Sequence, residues 1–76
     1  MDIQTTLDYI LKAIVSDYSS IKIETLTEDD HLILNVTADS EIIGQIIGKD
    51  GKIIKSIRTI LNLTYPNTRY LLNIIG

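Results

Sequence analysis

The chain has no cysteine, no tryptophan and no phenylalanine, and it carries one histidine and one proline. Without cysteine there is neither a disulfide nor a thiolate metal site, which suits a reducing compartment. His31 stands alone beside acidic residues at the start of a predicted strand, and it reads as an exposed turn residue rather than a base or ligand. The four tyrosines (Tyr9, Tyr18, Tyr65 and Tyr70) are scattered, so they do not form the aromatic pairs of a base-stacking sheet. No apolar run approaches the roughly 18 residues of a membrane span, and no basic segment leads into an apolar one at the N-terminus. Secretion and membrane association are therefore not expected, and the sequence reads as cytoplasmic.

Positive charge is scarce too: seven lysines and arginines face ten acids, for a net charge of −3. The distribution is more informative than the sum, because residues 1–48 balance to −7 and residues 49–76 to +4. A basic patch on an acidic body can bind an anion locally while the remainder repels it. What the chain does have is isoleucine and leucine. A domain of 76 residues buries only about 60% of its unfolded surface, so it needs this dense aliphatic content to fold alone.

Ile3, Leu7, Ile10, Leu11, Ile14 and Val15 recur at helical spacing and predict an amphipathic helix over 3–16 with one buried stripe. Residues 21–26 alternate as a half-buried strand. Glu28-Asp29-Asp30 reads as a polar turn, and a second strand around Leu32, Leu34 and Val36 should pair antiparallel with the first. Asp39 or Ser40 can cap a short helix carrying Ile42, Ile43, Ile46 and Ile47. Gly44 lies inside that helix, where glycine costs about 1 kcal/mol relative to alanine, and so predicts a close neighbouring element or ligand backbone. Ile53, Ile54, Ile57, Ile60 and Leu61 give the next helix its apolar face, opposite Lys52, Lys55 and Arg58, and this helix should stop before Pro66. Tyr70 to Ile75 is apolar on both faces and predicts an interior or covered strand. The hairpin and the two-helix crossover together predict an α+β, two-layer α-β-β-α-α-β fold, with a three-stranded mixed sheet and helices on one face.

The chemistry concentrates in Ile46-Ile47-Gly48-Lys49-Asp50-Gly51-Lys52-Ile53-Ile54. Two glycines three apart between aliphatic pairs describe a sharp turn joining two helices. Gly48 and Gly51 can take positive φ, and unpaired amides opening the next helix, with Lys49 and Lys52, favour an anion. A nucleotide-hydrolase loop is excluded, since Ile43 stands where its first glycine is required and Asp50 where the magnesium-binding hydroxyl is. The dinucleotide fingerprint fails at Ile46. Glu28, Asp29 and Asp30 read as a solvated turn rather than a cation site. No residues suited to catalysis remain, and no metal or cofactor is assigned.

This motif resembles that of the KH RNA-binding domain, with the extra helix and strand before it, as in the type II arrangement. Together with Gly44-Gln45-Ile46-Ile47-Gly48-Lys49 and Ile57-Arg58-Thr59-Ile60-Leu61-Asn62, the chain is similar throughout to the small bacterial single-KH proteins of the KhpA type. The resemblance implies one KH domain over 1–76, acting on single-stranded RNA as a chaperone or post-transcriptional regulator. It also implies a capacity to pair as a homodimer, or as a heterodimer with a larger KH protein. Gly48, Lys49, Asp50 and Gly51 would grip the backbone of about four unpaired nucleotides. Ile43, Ile46, Ile47 and Ile54 would supply an aliphatic groove, with some of them facing the core instead. Lys52, Lys55 and Arg58 would extend the phosphate track, with Arg69 secondary to them. Asp50 inside the loop and the net acidity depart from the pattern and imply weak or partner-dependent binding. The alternative is a protein-interaction module that uses the same scaffold to dimerise.

Overall fold

The computed structural model describes residues 2–76. Helix α1 (Ile3–Ile14) begins at Asp2, whose carboxylate accepts the Thr5 N–H at 2.8 Å. That hydrogen bond satisfies one orphan donor of the first turn and holds the Asp2 carboxyl below its ordinary pKa. Ile3, Leu7 and Leu11 are buried, whereas Ile14 is exposed at the helix's last position. The helix is two residues shorter than its periodicity suggests because Val15 is already extended, its N–H closing onto the Leu11 carbonyl.

Strand β1 (Lys22–Glu28) pairs antiparallel with β2 (His31–Thr37) across Asp29-Asp30. Asp29 there takes φ 54°, a conformation aspartate tolerates. Strand β3 (Tyr70–Ile75) lies parallel to β2, giving the order β1-β2-β3. The strand order corrects the expectation of an interior last strand: β3 is an edge strand, and Leu71 and Ile75 are exposed. Its double-sided apolar character has two origins, because Leu72 packs in the core beneath the helices while Leu71 lines up with Ile33 and Leu26 on the open face. Asn73 donates to Asn35 on that open face at 2.9 Å. Leu26 belongs to this outer row, on the face it shares with Lys22 and Glu24.

Between the layers lies one aliphatic core, with Leu7, Leu11, Leu34, Val36, Ile46, Ile57 and Leu61 fully enclosed. Thr25 pairs in register with Leu34, and its Oγ1 is buried without a hydrogen-bond partner among the described residues. Replacing Thr25 with valine removes that unmet hydroxyl at nearly constant shape, and should raise unfolding stability by about 1 kcal/mol. Urea denaturation would measure this; a destabilised variant would mean that the hydroxyl is satisfied in solution.

Helix α2 (Ser40–Ile47) is tied to the end of α1 by Gln45, which accepts the Ser16 N–H at 2.8 Å and donates to Ser16 Oγ at 2.9 Å. Helix α3 (Lys52–Thr64) ends before Pro66 as expected, with the Tyr65 N–H capping the Leu61 carbonyl. Its buried stripe is Ile54, Ile57 and Leu61 only. Ile53 and Ile60 were expected in the core, but they are 38% and 44% exposed. Plotted at about 100° per residue they lie about 75° and 95° to one side of that stripe's centre, and both stay exposed.

Candidate nucleic-acid interface

The turn between α2 and α3 is built by its two glycines in different ways. Gly48 closes α2 by donating to the Gly44 carbonyl at 2.9 Å, then turns the chain with φ 75° and ψ 174°. That region is open essentially to glycine alone. A Cβ at Gly48 would lie 2.8 Å from Ile53 Cβ and 3.0 Å from its backbone nitrogen, so the chain crosses itself too closely for any side chain. Lys49–Gly51 form a single 3-10 turn in which Asp50 takes φ 57° and Gly51 φ 72°.

The Gly51 N–H returns to the Gly48 carbonyl at 3.2 Å, and the Lys52 N–H to that of Lys49. Inside the turn, the amides of Lys49 and Asp50 are left without a backbone acceptor among the described residues, whereas that of Lys52, the first residue of α3, is spent. Both residues are exposed. The segment is neither an unbroken helix nor buried, the two arrangements that would remove it from contact with a ligand.

The four aliphatic candidates divide cleanly. Ile46 and Ile54 point into the core, Ile47 is 37% exposed, and Ile43 is half-buried against the C-terminal end of β3, where Gly76 approaches it. Ile43 and Ile47 lie one turn apart on the same side of α2. Gly44 adjoins them, and a Cβ built there would meet nothing within 4 Å. The expected close approach by a neighbouring element of the fold is thus not found. The glycine instead leaves a low, open surface beside the turn.

Lys52, Lys55 and Arg58 are exposed along α3. Arg58 does not point straight away from the core: its guanidinium donates to the Leu72 carbonyl of β3 at 3.4 Å. It sits about 60° around the helix from Leu61, so the wheel alone carried the signal that it flanks the sheet. Tyr70, at the start of β3, donates to Asn62 Oδ1 at 2.7 Å. Burial pushes its phenol pKa up, and the charge of Arg58 opposes this. Among the described residues the one ion pair is Lys12 with Asp8 at 3.3 Å, so none of the cations of the turn and α3 is ion-paired, although Asp50 lies among them. No group of three His, Cys, Asp or Glu among those residues is arranged to hold a metal ion, and no helix is long and apolar enough to cross a membrane.

Comparison with known proteins agrees with this architecture. A family model described as "KhpA/KhpB, KH domain" matches residues 4–74. The chain is similar to "RNA-binding protein KhpA" of Treponema pallidum, 33% identical over 69 residues that cover 88% of this chain and 86% of the other. The protein of the same name from Chlamydia caviae is 38% identical over 55 residues (72% and 70%). That from Thermotoga maritima is 32% identical over 56 (74% and 75%). No solved structure gives a significant match.

Proposed function

The chain belongs to the KhpA/KhpB family of KH domains, which are non-catalytic modules, and from that premise we propose that it binds single-stranded RNA through the Gly48–Gly51 turn. The observation that carries the reading is the pair of acceptor-free amides at Lys49 and Asp50, presented in an exposed turn with Lys49 and Lys52 beside them. Such a turn offers donors and positive charge to a phosphate without offering any base-specific group. Ile43 and Ile47 supply the apolar floor on which bases rest, Ile46 and Ile54 support it from within, and the open surface at Gly44 lets a ribose-phosphate backbone come close. Lys55 and Arg58 continue the track along α3.

Binding of this kind tolerates many sequences and is weakened by Asp50 and by the acidic body. Weak, sequence-tolerant contact with unpaired strands suits an RNA chaperone or post-transcriptional regulator acting in the cytoplasm. Titrating a four-nucleotide oligouridine into the labelled protein should move the amide resonances of residues 43–58 and leave those of the β1–β2 hairpin unmoved. The apparent affinity should fall as salt is raised, by about 0.7 log units per log unit of salt for each phosphate engaged.

A second reading, association with another copy or with a larger KH protein, is favoured by one feature of α3. Ile53 and Ile60 are 38% and 44% exposed and lie within about 20° of each other around α3, an aliphatic pair to one side of the lysine track. Resonances that stay fixed on adding RNA, together with an apparent mass that falls on dilution, would put this reading in place of the first.

A further inference from the structure

The far half of α3 and the start of β3 enclose a second basic cleft, away from the glycine turn. Arg58, Asn62, Thr68, Arg69, Tyr70 and His31 line it, in an open depression of about 560 Å³. Three separate stretches of chain contribute. Arg58 comes from the middle of α3, Arg69 from the connection into β3, and His31 from the start of the neighbouring parallel strand, where Leu32 pairs with Tyr70.

Several of these groups are held in place. The Arg69 carbonyl accepts the Leu32 N–H at 2.9 Å, which fixes the Arg69 backbone to the sheet while its side chain stays exposed. Arg58 is steadied by the Leu72 carbonyl, a bond that leaves its other N–H groups unspent. The Tyr70 hydroxyl is directed at Asn62. Neither arginine lies within salt-bridge distance of a carboxylate among the described residues. Two guanidinium groups at one cleft without a counter-charge match a phosphate, which each can bind through two parallel N–H donors.

Position narrows the ligand further. Along α3, Arg58 stands about 9 Å beyond Lys52 and Asn62 about 6 Å beyond Arg58, at about 1.5 Å per residue. Lys52, Lys55, Arg58 and Arg69 thus form a discontinuous line of charge leading from the glycine turn to the cleft. Past His31 the line stops. Glu28 and Asp29 border the next depression, and the hairpin that carries them would repel a strand continuing in that direction.

We propose that the Arg58–Arg69 cleft is a second phosphate subsite, receiving a backbone phosphate of the same RNA strand beyond the nucleotides held at the Gly48–Gly51 turn. The inference rests on the RNA-binding reading above and extends it: the footprint is longer than the turn alone provides, and it ends at the acidic hairpin.

Oligouridines of four and eight nucleotides separate the two sites when their affinities for the wild-type chain and for Arg69→Gln are compared by fluorescence anisotropy. The octamer should bind the wild type more tightly than the tetramer, by more than its extra registers provide. Arg69→Gln should weaken the octamer about tenfold, lower its salt slope by about 0.7 and leave tetramer affinity and melting temperature unchanged. An unchanged octamer affinity, or an equal loss for both lengths, would overturn the subsite and leave the turn standing. A wild type that binds the octamer in an Arg69-dependent way but ignores the tetramer would keep the subsite and remove the turn. Binding of neither length would remove both. Inorganic phosphate serves as the control: saturable shifts at Arg69 and Tyr70 with phosphate, and none there with the octamer, would make the cleft a free-anion site and overturn the proposal.

Discussion

Replacing Lys49 with aspartate is expected to reduce affinity for short single-stranded RNA by at least about a hundredfold, without changing the melting temperature. The substitution removes one charge-assisted contact, worth about 1.5–3 kcal/mol, and puts a second carboxylate next to Asp50, in the turn that carries the two amides without a backbone acceptor. The natural sequence already carries half of this repulsion, so a single change makes the interior of the turn wholly acidic. The fold has no stake in Lys49: its side chain is exposed and enters no hydrogen bond or ion pair among the described residues. Lys49→Gln should fall between the two, since it removes attraction without adding repulsion. Fluorescence anisotropy with a labelled oligouridine measures the series, and circular dichroism checks the fold. Affinity within twofold of wild type in the aspartate variant would take the turn out of the binding mechanism.

Much of the fold follows from local periodicity. The alternation on either side of Glu28-Asp29-Asp30 gave the hairpin, and the need to carry the chain over two helices gave the parallel third strand. Both are present, and α3 ends where Pro66 requires. The features that sequence missed all depend on what lies next to an element. Ile53 and Ile60 share the apolar half of their helix with Ile57, but burial extends only as far as a neighbour covers. The run from Tyr70 to Ile75 has the same composition whether a strand lies at the centre of a sheet or at an edge with an apolar outer face. Gly44 looked like the mark of a close neighbour, yet a missing Cβ serves equally to keep a surface low.

The candidate site divides the same way. The glycine turn was legible because its geometry is contained in four consecutive residues, although the Lys52 amide is spent on the Lys49 carbonyl and two further amides without a backbone acceptor among the described residues, those of Lys49 and Asp50, lie inside the turn. The sorting of Ile43 and Ile47 to the surface, and of Ile46 and Ile54 to the core, depended on how α2 is rotated against the sheet. Arg58 and Arg69 were both named as phosphate contacts on the resemblance, but their meeting in one cleft was not legible, since it depends on β3 pairing with β2 in the register that sets Tyr70 beside Leu32.

The two glycines of the turn should differ sharply in what they do for stability. Gly48→Ala places a side chain in a backbone region costing about 1–3 kcal/mol, and drives its Cβ against the backbone and side chain of Ile53. The neighbour cannot yield cheaply, because Ile53 is in the first turn of α3 and its nitrogen lies 3.0 Å from the added carbon. With about 1–3 kcal/mol for the forced packing, the total is about 2–6 kcal/mol, a large share of the stability of a small domain. Gly51→Ala meets only Ile54 Cγ2 at an ordinary 4.0 Å, and its φ of 72° is the left-handed region that costs alanine about 1–2 kcal/mol. Thermal unfolding of the two variants should therefore show a large drop for Gly48→Ala and a modest one for Gly51→Ala. Equal losses would mean that the chain does not cross itself at Ile53 as described. The contrast has a functional side, since Gly51→Ala leaves a folded protein in which the turn is stiffened next to its free amides. Any RNA affinity it loses reports on the turn itself rather than on the collapse of the domain that holds it.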